Sequence, residues 1–373
     1  MENKTLARYA GKTAFGTALS RILGYIRDML IAQFFGAGIF ADAFYAAFRI
    51  PNLFRRMLGE GSFSAAFIPV FSQYLQTEKK KQTQEVLNAV FTALLLILAA
   101  ITILGMFFAP QLAKIIAWGF TSNPEKMDLT IELTRLMFPF VFFICLAAFL
   151  LAVLNTLYSF FIPALAPASL SFAEIFYVLL FTPLIVFPQN QIKGLAFAVI
   201  AGGLLHFLIQ YPVLKKLGWG LHFHINFKHP AIKKIVFLMI PSVIGLSVDQ
   251  INAFVDNICA SFLANGSIAA MYYSNRVMQL PLAIFGLALA SVSLPAMSKA
   301  AAVNDIKNIK ESLNYSLRFS IFTLLPAAFG LMIIGFPIIR VLFERGSFDL
   351  NASIMTNSAL FYYSLGIPAY SCA

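Results

Sequence analysis

Five arginines fall inside the first two apolar stretches of the chain: Arg21 and Arg27 in "LSRILGYIRDML" (19–30), and Arg49, Arg55 and Arg56 in "DAFYAAFRIPNLFRRMLGEGSFSAAFIP" (42–69). Only three acids accompany them, Asp28, Asp42 and Glu60. At the centre of a bilayer helix each such charge costs about 2.5–3.5 kcal/mol on insertion scales, whereas a Leu returns about 0.5. These side chains therefore face protein or a hydrated cavity. Guanidinium groups bind phosphate through two parallel hydrogen bonds, and their weak hydration lowers the cost of holding them in a partly dry site. The excess of positive charge points to an anionic ligand.

On a helix at 100° per residue Arg21, Gly24 and Asp28 share one stripe, and Arg27 lies about 9 Å along the axis from Arg21 on an adjacent face. The competing reading is a structural Arg–Asp pair that holds the first span against its neighbours. In the second cluster Arg55 is the leading ligand candidate and Asp42 belongs to the same site. Asn52, Arg49, Arg56 and Glu60 support it, with Arg49 able to snorkel and Glu60 placed to partner Arg56. In the second half of the chain Arg276, in "MYYSNRVMQLP", is the basic residue that joins this set. Asp249 and Asp256, seven residues apart on nearly one helix face, are a candidate ion or proton site or else partners for arginine. Glu174 stands alone in the fifth apolar stretch, with no acid–base partner in view. His222, His224 and His229 fall in a basic linker and do not make a metal site. No Ser/His/Asp set, Walker loop or dinucleotide fingerprint is present, so the pattern excludes an enzyme.

The elements that must carry these residues follow from composition. The 373 residues are 60% hydrophobic and 12% charged, half the charge of an ordinary soluble domain, with a mean hydropathy of +0.81. Cys145, Cys259 and Cys372 lie singly, without the spacing of a metal site or a disulfide framework. The net charge of +11 comes from short loops between apolar runs, which is a topology and anionic-headgroup signal rather than a nucleic-acid one. Counted against the roughly 20 residues needed to cross a bilayer, ten spans are predicted, near 12–35, 40–74, 87–110, 130–154, 163–187, 193–214, 235–263, 268–297, 314–342 and 354–373. The second is too long for a straight helix, and Pro51, Gly59 and Gly61 predict a bent or broken one lining a cavity. Lysines concentrate in alternate loops (79–81, 215–234 and 299–310), which places the N-terminus in the cytoplasm.

An internal repeat appears at a separation of 228 residues. "IRDMLIAQFFGAGIFADAFYAAF" lies over "FVDNICASFLANGSIAAMYYSNR", matching Asp28 with Asp256, Phe34 with Phe262, Gly38 with Gly266 and Tyr45 with Tyr273. Six spans separate the copies, so both keep one orientation. The predicted fold class is an all-α polytopic membrane protein. Two six-helix lobes are related by a parallel pseudo-two-fold around a central cavity. Residues 1–214 form the N-terminal lobe with spans 1–6, and 215–234 a basic cytoplasmic linker with Trp219 and its lysines at the membrane interface. Residues 235–373 begin the C-terminal lobe with spans 7–10, and at least two further spans are expected to complete it.

The stretches "SRILGYIRDMLIAQFFGAG", "DAFYAAFRIPNLFRRMLGEGSFSAAFIPVFSQY" and "MYYSNRVMQLPLAIFGLALASVSLPAMSKA" resemble the MviN/MurJ family of bacterial lipid II flippases, within the multidrug/oligosaccharidyl-lipid/polysaccharide exporter superfamily. The resemblance implies fourteen spans, two six-span lobes around a central cavity plus a final helix pair. It implies as substrate the undecaprenyl-diphosphate-linked disaccharide-pentapeptide lipid II, carried to the outer leaflet by alternating access. It also implies cavity arginines at Arg21, Arg27, Arg55 and Arg276 with an aspartate at Asp42. Gln279 departs from relatives that carry an acid there. A sodium site of some members uses an acid that Asp256 matches, so a coupling ion, sodium or proton, stays open, and no other cofactor is implied. Anionic membrane lipids and peptidoglycan-synthesis proteins are the further partners considered. Three readings compete. The first is a lipid II flippase. The second is a flippase for another diphosphate-linked precursor or a cation/drug antiporter of the same superfamily, although the cavity charge disfavours cations. The third is a non-transporting scaffold for wall synthesis, which predicts individually replaceable arginines.

Overall fold

A computed structural model of the chain describes residues 3–283, 293, 297–303 and 305–372. The side chains of residues 3–10, 12, 58–60, 246, 249, 371 and 372 lie outside the described set. Long apolar runs, in which every backbone group can be bonded within its own segment, give helices, and no strand occurs among the described residues. Helix α1 (Asn3–Phe35) carries the first arginines. Helix α2 (Ile39–Phe54) passes directly into a π-helical segment (Arg55–Ser62) and then α3 (Phe63–Thr77). The bend predicted over 40–74 is thus realised as wide turns in one continuous helical path. A π turn holds an extra residue while keeping its backbone groups bonded, which a break would not do in a medium without water.

There follow α4 (Lys80–Phe107), α5 (Ala109–Ile116), a 3-10 turn (Trp118–Ser122), α6 (Pro124–Met137), α7 (Pro139–Thr156), α8 (Phe161–Leu165), α9 (Ala168–Leu180) and α10 (Pro188–Lys216). Then come α11 (Pro230–Ser261), α12 (Ser267–Pro281), α13 (Ile306–Phe343) and α14 (Leu350–Cys372). Among the described residues five helical stretches are long and apolar enough to cross a membrane, Lys80–Phe107, Pro124–Thr156, Phe161–Leu184, Pro188–Lys216 and Ile306–Phe343. A sixth is added if Pro230–Gly245 and Gln250–Ser261, bent by 48°, count as one. The other predicted spans contain helix but carry too many charges, are shorter, are too rich in polar residues, as in Leu350–Cys372, or, like the end of 268–297, reach residues outside the described set.

The chain divides into two compact units, one of residues 1–31 and 39–264, the other of 32–38 and 265–373. In the first unit α10 packs on α7 and α9, α2 on α6, and α3 on α7 and α11. Phe63, Phe67 and Phe71 stack at four-residue spacing along α3, with centroids 5.3 and 5.0 Å apart, and Phe149 of α7 meets Phe67 edge-on. Trp219 joins this cluster, 6.0 Å from Phe71 and 8% exposed, under the Lys80 ammonium. Its ring packs on α3 beneath the start of α4. In the second unit α14 packs on both α12 and α13.

The 228-residue repeat recurs in hydrogen bonding. In the first unit the Gly119 amide donates to Ser261 Oγ (2.8 Å) at the end of α11. In the second the Ser347 amide donates to the Gln33 carbonyl (2.7 Å) near the end of α1. Residues 119 and 347, like 33 and 261, are repeat equivalents. Both junctions need glycine. A Cβ on Gly119 would lie 2.3 Å from the Ser261 carbonyl oxygen, and Gly36 (φ +64°) would meet Ser347 in the same way.

Candidate functional site

The first arginine site is built where α1 meets α8 and α9. Small residues let the helices approach, Gly16 against Ala164 and Gly24 against Ser171. Arg27 and Asp28, neighbours on α1, are 8% and 1% exposed. Arg27 donates from Nε and Nη2 to Asp28 Oδ1 (2.9 and 2.7 Å) and faces Glu174 Oε2 of α9 at 3.1 Å. Glu174 is 3% exposed. It thus has a partner that the sequence reading did not supply, and Arg27 is held in one orientation by two carboxylates. Arg21, on the same helix, is exposed.

The second arrangement couples α2 to α6. Asp42, 1% exposed, accepts from Lys126 Nζ at 2.8 Å, and that ammonium also lies 3.9 Å from the centroid of the Phe120 ring. The sequence pattern does not group Lys126 with the arginines. One signal was available: "NPEK" begins a helix with Asn123 as cap and Pro124 at its first position, so Lys126 sits against the positive end of the helix dipole and calls for a carboxylate. Arg49 does not snorkel. Its Nε donates to the Ala253 carbonyl of α11 (3.1 Å), tying α2 to that helix.

The third arrangement is the π segment. Arg55, half-buried, donates from Nε to Asn52 Oδ1 (2.9 Å), one turn earlier. Arg56 is half-buried as well, and its Nε has no hydrogen-bond partner among the described residues. The bond to Asn52 orients the Arg55 guanidinium along the helix that carries it. Glu60, expected beside Arg56, has its side chain outside the described residues, as does Asp249. Asp256 is exposed on α11, and the buried neighbour Asn257 donates to the Ile116 carbonyl (2.9 Å).

In the second unit Arg276 of α12 is half-buried, donates from Nη2 to the Tyr272 hydroxyl (3.0 Å) and lies 5.2 Å from that ring's centroid. Gln279 donates to Asn275 Oδ1 (2.6 Å) one turn back. The first unit therefore brings together Arg27, Asp28 and Glu174 as one cluster, Asp42 and Lys126 as another, and Asn52 with Arg55 as a third.

Residues 31–373 match the family described as lipid II flippase MurJ. The chain is 35% identical over 351 residues to the probable lipid II flippase MurJ of Buchnera aphidicola subsp. Baizongia pistaciae, and 36% identical over 355 residues to the lipid II flippase MurJ of Burkholderia cenocepacia. Each alignment covers 94% of this chain and 68% of the relative. A lipid II flippase MurJ solved in an inward closed conformation superposes with a TM-score of 0.81 at 31% identity, over 96% of this chain and 73% of that one. An inward-facing multidrug resistance MATE family transporter of the MOP superfamily shares the fold at a TM-score of 0.71 and 13% identity, over 95% and 80%.

Proposed function

Because the chain belongs to the lipid II flippase MurJ family, an integral membrane transporter family, we propose that it carries lipid II from the cytoplasmic to the outer leaflet of a bacterial inner membrane by alternating access, with its N-terminus in the cytoplasm. The observation that carries the reading is the gathering of oriented, buried or half-buried guanidinium groups in the first unit. Arg27 is fixed by Asp28 and Glu174, Arg55 is fixed by Asn52, and Arg56 has a buried Nε with no hydrogen-bond partner among the described residues. A diphosphate needs oriented cations, since bidentate binding depends on the placement of the planar fork. We assign the diphosphate to Arg55 and Arg56, with Arg21 as a further ligand, and we assign to Arg27 a ligand role prepared by Asp28 and Glu174.

Purified full-length protein in proteoliposomes tests this. Arg55→Lys and Arg56→Lys are expected to lower lipid II flipping at least tenfold while keeping thermal stability, because an ammonium keeps the charge and loses the fork. Unchanged flipping by both would overturn the assignment. Equal transport of an undecaprenyl diphosphate bearing an unrelated glycan would favour the broader diphosphate-linked precursor reading.

A further inference from the structure

Between Lys216, the last residue of α10, and Pro230, the first of α11, the chain reads "LGWGLHFHINFKH". Apolar residues stand at 217, 219, 221, 223, 225 and 227, and Gly, His, Asn or Lys at each position between. A period of two is the pattern of an extended chain with one apolar face. Among the described residues no strand lies beside this segment, and its partner is helix α4. Gln84 Nε2 donates to the Gly220 carbonyl (2.6 Å), the His222 amide donates to Asn88 Oδ1 (3.1 Å), and the His224 amide to Thr92 Oγ1 (2.9 Å). The side chains on α4 are four residues apart, about 6 Å per step along a helix. Alternate residues of an extended chain advance about 6.6 Å. The two repeats agree, so one polar stripe of a helix stands in for a neighbouring strand.

Side chains of an extended segment alternate between its faces, so the odd-numbered residues share one. That face starts inside the protein with buried Trp219 and half-buried Leu221, then emerges. Phe223, Ile225 and Phe227 are 61%, 60% and 52% exposed. The neighbouring backbone at Gly220, His222 and His224 is fastened to α4, which holds Phe223 and Ile225 outward. The segment joins two helices that enter the membrane, which keeps it at the bilayer surface. Lysines surround it, Lys215 and Lys216 before, Lys228, Lys233 and Lys234 after, and Lys79, Lys80 and Lys81 at the start of α4.

We infer that residues 217–228 form an interfacial strap. Phe223, Ile225 and Phe227 enter the headgroup–acyl boundary of the adjoining leaflet, and the flanking lysines draw the strap to anionic headgroups. The partner is the lipid surface, because an apolar row within a ring of lysines complements acyl chains edged by negative charge. The inference rests on the chain spanning a membrane and not on which lipid it transports.

Spin labels placed singly at positions 222 to 227 of the full-length chain, with Cys145, Cys259 and Cys372 replaced by serine, test this in vesicles of phosphatidylcholine with or without phosphatidylglycerol. A period-two oscillation is expected. Oxygen, which partitions into the acyl region, should relax the labels at 223, 225 and 227, and a water-soluble nickel complex those at 222, 224 and 226, with the odd positions shifting deeper when phosphatidylglycerol is present. Tryptic cleavage after Lys228 in wild-type vesicles, slower in phosphatidylglycerol, gives a readout free of substitutions. Nickel access at all six positions in both lipids overturns the inference and would assign the row to a protein partner. Equal depth and equal cleavage in the two lipids overturn the role of the lysines.

Discussion

Removing one member of a buried ion pair leaves an uncompensated charge, which costs about 3–5 kcal/mol. Asp42→Asn should therefore destabilise the protein by that amount through stranded Lys126, and Asp42→Asn with Lys126→Met should recover most of it. Thermal unfolding of the purified variants in detergent measures both. Glu174→Gln should act differently, because Asp28 still faces Arg27. A small change in melting temperature with a several-fold weaker lipid II affinity is the expected outcome, and the reverse would make Glu174 purely structural. The sequence exposed one side of each cluster and hid the other. Arg27 and Asp28 stand out because insertion costs are local and can be priced residue by residue. Glu174 and Lys126 acquire their roles only from helices packed in space, Lys126 being 84 residues from Asp42.

At the scale of elements, the bend between α2 and α3 was readable from Pro51, Gly59 and Gly61, but not its form. A broken helix and a run of π turns use the same residues. They differ in whether backbone groups stay bonded, which only the packing around Arg55–Ser62 decides. The strap shows the converse. Its alternation is written in residues 217–227, while its partner stripe on α4 lies more than a hundred residues earlier. Replacing Gln84, Asn88 and Thr92 together by alanine removes bonds worth about 1 kcal/mol each. The expected result is faster amide exchange across 219–225, followed by mass spectrometry, with the rest of the chain unchanged.

For the whole molecule the sequence repeat foretold an equivalence that appears as two matching junctions, Gly119 with Ser261 and Ser347 with Gln33. The repeat was legible because its glycines and aromatics are tied to backbone geometry. What moves against what was not, since that depends on energies between states. Under the flippase proposal, an anion carried outward gains about 2.3 kcal/mol per charge per 100 mV of inside-negative potential. Collapsing the potential in proteoliposomes at fixed pH and sodium should slow net outward flipping, and rates indifferent to potential would leave the substrate gradient as the driver. Gly36→Ala tests the second junction. The left-handed backbone and the contact with Ser347 should cost at least about 1 kcal/mol, read as a lowered melting temperature.

That junction also orders the protein's birth. The turn after α1 leaves the ribosome early, yet its place is made by Tyr273, whose hydroxyl donates to the Gly36 carbonyl, and by Ser347, which arrives roughly 300 residues later. At synthesis rates of about 5–20 residues per second, residues 32–38 wait on the order of 15 to 60 s for their seat. Maturation of the second unit is therefore bound to a segment translated far earlier, and an arrested nascent chain that stops short of Ser347 and carries a single cysteine introduced within 32–38 should react there with a thiol reagent that the finished protein excludes.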